Sequence, residues 1–190
     1  MGAVALKTIN HFFITKPVWR SVEQWRSGEV PERELNWLLE PNSLTQRIKS
    51  TFQAPFSVNV KGEQWANPFL ADAECLNQPV DCPALIREVL LKVGGQAHVF
   101  ARTTLPKDVA DELQELTRLG NKPLGEVIFS YPDLRRVKLD LAVINVAQLS
   151  KAMQAKLVGE TSIWGRRNTY QINKHTFIVS EFFLPVLYAR

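Results

Sequence analysis

The residues that could do chemistry here are charges set inside runs of apolar side chains. Glu181 lies within HTFIVSEFFLP (175–185), Arg87 and Glu88 within ALIREVLL (84–91), and Arg102 within HVFARTTLP (98–106). Side chains alternate along a strand, so Phe177, Val179, Glu181 and Phe183 share one face, and Ile178, Ser180 and Phe182 the other. Both faces are largely apolar, which predicts a central strand covered on both sides, with Glu181 interior. An ion taken out of water must be compensated. One arrangement that does so is a buried ion pair of Glu181 with Arg87 or Arg102, although such pairs often barely offset their desolvation. The other is an interior pocket in which an arginine grips a ligand carboxylate through two parallel N–H groups. Alternation leaves open whether Arg87 (with Leu85, Val89 and Leu91) or Glu88 (with Ile86 and Leu90) faces that interior.

Other chemistries find little support. His11, His98 and His175 stand in contexts that read as structural or exposed. Cys75 and Cys82 have no nearby histidine to complete a zinc site, and read as free, reduced thiols. LKVGGQ reads as a hairpin turn with no helix after it, so it is not a phosphate-binding glycine loop. The net charge is +4, and the basic residues are scattered except in RRVK (135–138) and GRR (165–167). Arg166 and Arg167 of the second cluster read equally as a solvated hairpin edge or as partners of a ligand carboxylate. No nucleic-acid motif accompanies the charge. The helical hairpin at 31–52 would expose only Gln46, Arg47 and Lys49 to DNA. The opening MGAVALKTIN lacks the pattern of a signal peptide or a myristoylation site. No run approaches the ~20 apolar residues of a membrane span. A cytoplasmic monomer is expected, as one domain over residues 1–190, since one core can hold a chain of this length.

These charges must be positioned by mixed elements. PERELNWLLE (31–40) predicts a helix with Pro31 at its start, and Asn42 or Ser43 can cap a second helix at 43–52. Residues 54–65 alternate as a strand with a turn near Lys61–Gly62, and 66–83 read as loop. ALIREVLL and AHVFARTTLP form a hairpin through Gly94–Gly95. PKDVADELQELTRLG (106–120) predicts one amphipathic helix, 121–129 a short second one, 135–146 a strand, and 147–160 a helix. WGRRNTYQI and HTFIVSEFFLP make the last hairpin. The expectation is α+β: a six-stranded antiparallel sheet with helices packed on one side.

Taken in order, LNWLLEPNSLTQRIK, LIREVLL, ARTTLP, LGNKPLG, WGRR and SEFFLP resemble the chorismate lyase (chorismate pyruvate-lyase) family across residues 35–185. The resemblance implies the six-stranded sheet with helices on one side; the two helical pairs, each broken at its turn (Pro41–Asn42 and Gly120–Asn121), read either as lids that open to admit a ligand or as fixed roof helices. It implies an enzyme that converts chorismate into 4-hydroxybenzoate and pyruvate for ubiquinone synthesis, with no metal or organic cofactor. It assigns Arg87 to the ring carboxylate, the Leu124 N–H and Leu44 to ligand contacts, and Glu181 to the hydroxyl end. The stretch 141–163 is longer than the family pattern, which predicts an extra helix before WGRR. A different class also fits the fold: a non-catalytic effector-binding domain. Such domains follow a DNA-binding domain, and residues 1–30 are too short for one.

Overall fold

The computed structural model describes residues 9–189, so most of the segment read above for a leader lies outside them. The elements are β1 (Arg20–Ser21), α1 (Glu32–Leu38), α2 (Leu44–Thr51), β2 (Phe56–Ala66), α3 (Leu70–Cys75), β3 (Ala84–Val93), β4 (Gln96–Pro106), α4 (Lys107–Glu112), α5 (Leu124–Ile128), β5 (Arg135–Asn145), α6 (Lys151–Gln154), β6 (Ser162–Ile172) and β7 (His175–Phe183). The strands form one antiparallel sheet in the order β1-β5-β6-β7-β4-β3-β2. That makes seven strands among the described residues rather than six. The extra one is the two-residue β1, too short to leave a periodic signal.

The β3–β4 hairpin turns through Gly94 and Gly95, both at positive φ, as that glycine pair predicts. The β6–β7 hairpin turns at Asn173, also at positive φ. β7 lies between β6 and β4, so its central position is confirmed. The expected turn at Lys61–Gly62 is instead a bulge within one continuous strand β2. A Cβ on Gly62 would lie 2.7 Å from the His11 ring, so glycine there lets the N-terminal segment cross the strand.

Two helical pairs cover one face of the sheet. α1 and α2 pack Trp37, Leu38, Leu44 and Ile48 on Val89, Leu91, Val99 and Ala101. Ser43 caps α2 by accepting from the Gln46 N–H. Beside them, α4, a 3-10 turn (Gln114–Thr117) and α5 pack on Leu85, Leu105, Phe177 and Val179. The single helix expected at 106–120 breaks at Leu113, which leaves helical geometry so that Leu113 and Leu116 both reach the core.

The sequence predicts helices on one side only; instead they pack on both. On the opposite face, α6 and the Phe12–Phe13 segment pack with Phe69, at the start of α3, against Leu90, Phe100 and Phe182. Phe100 and Phe182 stack with ring centroids 4.6 Å apart. α3 lies in the stretch read as loop. α6 supplies the extra helix before WGRR, although only four residues of the expected fourteen are helical. No helix among the described residues is long and apolar enough to cross a membrane.

Candidate active site

The register fixes a grid of side chains on the face beneath the two helical pairs. Glu63, Arg87, Thr103, Val179 and Asn168 follow one another across five strands. In the next row stand Val89, Ala101, Glu181 and Arg166. Arg87 and Glu181 are therefore two strands apart, roughly 10 Å across the sheet, and point the same way. Above them the helical pairs lower Leu44, at the start of α2, and Leu124, at the start of α5. All four sequence-assigned residues line one cavity of about 50 Å³, with Tyr170 and Arg166 completing its wall. Other side chains around it are mainly apolar: Val58, Val89, Leu91, Ala101, Ile128 and Val179.

Arg87 is buried and lines the cavity. Nη1 donates to Glu63 Oε2 at 2.5 Å, and Nη2 donates to the carbonyls of Gly120 (2.7 Å) and Lys122 (3.5 Å). These carbonyls belong to the loop that leads into α5. Leu124 occupies the first turn of that helix, where a backbone N–H has no intrahelical acceptor.

Glu181 is paired, but with neither Arg87 nor Arg102. Arg166 Nε donates to its Oε2 at 2.6 Å, and Asn168 Nδ2 donates to the same oxygen at 3.1 Å. Arg166 in turn holds the end of α1 through Nη1, which donates to the carbonyls of Leu38 and Glu40. It is one of the most deeply buried residues of the protein, which removes the reading of GRR as a solvated edge. Tyr170 stands two positions beyond Asn168. Burial, reinforced by the Glu181 charge, pushes its phenol up to about 12, so it remains a neutral O–H donor at ordinary pH.

Arg102, Glu88 and Arg167 lie on the opposite face, as alternation from Arg87 and Arg166 requires. Arg102 Nη1 donates to Glu88 Oε1 at 2.6 Å and to the Ile9 carbonyl, and its guanidinium lies over Phe69. Burial pushes the Arg102 guanidinium down, while Glu88 and Asp72 oppose that shift. Glu88 also accepts from His11, and Arg167 is held by Asp140 and Asp72. Neither Arg102 nor Arg167 reaches the cavity that holds Glu181. The histidines lie outside it too: His98 packs on Phe52, and His175 meets Asp108. Cys75 and Cys82 are free.

The family model described as chorismate lyase matches residues 14–190. The chain belongs to the chorismate lyase family. Its relatives include proteins described as "probable chorismate pyruvate-lyase" from Shewanella frigidimarina and Pseudoalteromonas translucida. The first is 35% identical over 175 residues, covering 82% of this chain and 83% of the relative. The second is 35% identical over 180 residues, covering 92% and 98%. A third, from Aromatoleum aromaticum, is 36% identical over 163 residues, covering 83% and 88%. Among solved structures, the effector domain of PhnF from Mycobacterium smegmatis superposes with a TM-score of 0.56 at 18% identity, over 77% of this chain and 90% of that one. A GntR-family transcriptional regulator from Bacillus cereus gives 0.54 at 12% identity, over 69% and 92%. At such identities the likeness is one of fold. Reasoning from the sequence missed Tyr170 on the cavity wall, and Glu63 and Asn168 as partners of Arg87 and Glu181, and left Arg166 undecided.

Proposed function

We propose that the chain is a chorismate pyruvate-lyase that releases 4-hydroxybenzoate, a precursor for ubiquinone synthesis, and pyruvate. Family membership supports the substrate. The observation that carries the reading is the convergence of Arg87, Glu181, Leu44 and Leu124 on one cavity from four separate elements. In this reading Arg87 grips the ring carboxylate, the Leu124 N–H donates to it, and Leu44 packs on the ring. Glu181, held by Arg166 and Asn168, accepts from the ring hydroxyl.

The reaction needs no net oxidation. The C–O bond to the enolpyruvyl group breaks, the hydrogen on the neighbouring ring carbon leaves, and the ring becomes aromatic. That hydrogen passes either to the methylene carbon of the departing enolpyruvyl group, which becomes the methyl of pyruvate, or as a proton to Glu181, in which case the released enolpyruvate takes up a proton at its methylene carbon to become pyruvate. On either route the protein holds a reactive conformer, meets the charges and keeps water out. Arg166 is the cation on the cavity wall suited to the side-chain carboxylate.

The fold shared with effector domains favours a second reading, a non-catalytic site for a small ligand. Purified protein incubated with chorismate separates the two. Equimolar pyruvate and 4-hydroxybenzoate are expected. Saturable 4-hydroxybenzoate binding with no pyruvate formed would establish the effector-binding reading instead.

A further inference from the structure

We propose that Glu63 is a resident carboxylate that competes with the ligand's ring carboxylate for Arg87, and so sets ligand affinity through that arginine. The inference rests on the reading of Arg87 as the ring-carboxylate grip. A two-pronged hold on a carboxylate takes adjacent N–H groups of the guanidinium. Here Nη1 is on Glu63 and Nη2 is on the Gly120 and Lys122 carbonyls. Both Nη atoms thus already have partners, and an incoming carboxylate meets a guanidinium that already holds the Glu63 carboxylate.

Glu63 is the partner able to leave. It sits on β2, the edge strand, and its side chain is 27% exposed against 6% for Arg87, so water is within reach of one rotamer change. It also carries the ligand's own charge. Two carboxylates on one guanidinium in a largely apolar cavity repel each other. The lid carbonyls are neutral, and keeping them leaves the lid loop anchored to Arg87 while the ligand is held. Arg87 would then be a shared anchor, with Glu63 as its exchangeable partner. Glu63 is a positioning residue in this scheme, since it acts through Arg87.

The test is calorimetric titration of wild type and Glu63→Gln with 4-hydroxybenzoate and with its neutral isostere, 4-hydroxybenzamide. Glu63→Gln keeps the strand and its shape. Removing one like charge a few ångströms from the ligand should tighten 4-hydroxybenzoate binding about tenfold. The amide should gain nothing, which separates charge competition from a general change in the cavity. KM for chorismate should fall in parallel. Weaker or unchanged 4-hydroxybenzoate binding in the variant, or an equal gain for acid and amide, overturns the proposal and leaves the lyase reading intact. Failure of wild type to bind 4-hydroxybenzoate at all overturns both.

Discussion

Arg166 on β6 stands directly opposite Glu181 on β7, and its Nε donates to the Glu181 carboxylate at 2.6 Å. The same guanidinium ties down the end of α1 through the Leu38 and Glu40 carbonyls, so one side chain joins the floor of the cavity to the first helical pair. Replacing it by methionine leaves a buried carboxylate without its cation and the α1 carbonyls without their donor. Arg166→Met should lose about 3–5 kcal/mol of stability. Urea unfolding monitored by tryptophan fluorescence measures this. A loss below about 1 kcal/mol would mean that Glu181 is compensated by Asn168 alone.

Glu181→Gln separates the two routes for the ring hydrogen. Glutamine keeps the shape and can still accept from the ring hydroxyl, but it cannot take a proton. We expect turnover to stay within about tenfold of wild type, because Glu181 is held in place by two donors and the hydrogen can pass within the substrate. A collapse in turnover by about a thousandfold, with folding intact, would assign the proton to Glu181.

Arg87→Lys keeps the charge but loses the planar fork, and with it the contact to either Glu63 or the Gly120 and Lys122 carbonyls. Binding of chorismate and of 4-hydroxybenzoate should weaken by about 1.5–3 kcal/mol, the range for a lost charged hydrogen bond. Unchanged product affinity in the lysine variant would remove Arg87 from the site.

Tyr170 gives the fold an alkaline limit. Its phenol is raised to about 12 in the folded protein, by burial first and the Glu181 charge second, against about 10 when unfolded. The folded state therefore holds this proton more tightly. The stability tied to it is fully present below pH ~10 and is lost as pH rises through about 12. Tyr131 and Tyr188 are raised in the same direction. Tyr170→Phe should flatten the fall in denaturation midpoint across that window. An identical alkaline slope in the variant would show that Tyr170 does not set it.

Glu181 was legible because it interrupts a long apolar strand, where a charge has no ordinary reason to be; Arg87 does so too, but beside Glu88, and only the family resemblance chose between them. Arg166 was harder to read, because WGRR reads equally as an exposed edge. The register contained the answer: six residues back from Ile172 and six on from His175 lie Arg166 and Glu181, facing each other. Glu63 left no signal, since a charge on an edge strand needs no partner to explain it. The short helices were the least legible. α3, α6 and the break at Leu113 follow from packing on the sheet rather than from local preference.

We propose that the two helical pairs, which meet over the cavity, act as lids whose contact controls how fast product leaves. Inside, Gly125 of α5 lies against the cap of α2: a Cβ there would come within 3.1 Å of Ser43 Oγ and 3.4 Å of Thr45 Oγ1. Outside, Lys49 of α2 pairs with Glu126 of α5. That pair is exposed on both sides and is worth at most about 1 kcal/mol. The closed arrangement thus depends on the close approach at Gly125 more than on charge. An aromatic product held beneath should leave only when the hairpins part, so 4-hydroxybenzoate should inhibit strongly and its release should limit turnover. Stopped-flow mixing of chorismate with comparable enzyme should then show a burst in the first turnover. Gly125→Ala should wedge the hairpins, weaken product inhibition and shrink the burst, whereas Lys49→Ala should leave it nearly unchanged. A linear trace from the start with active wild-type enzyme would put the slow step at or before chemistry and end the lid-limited account.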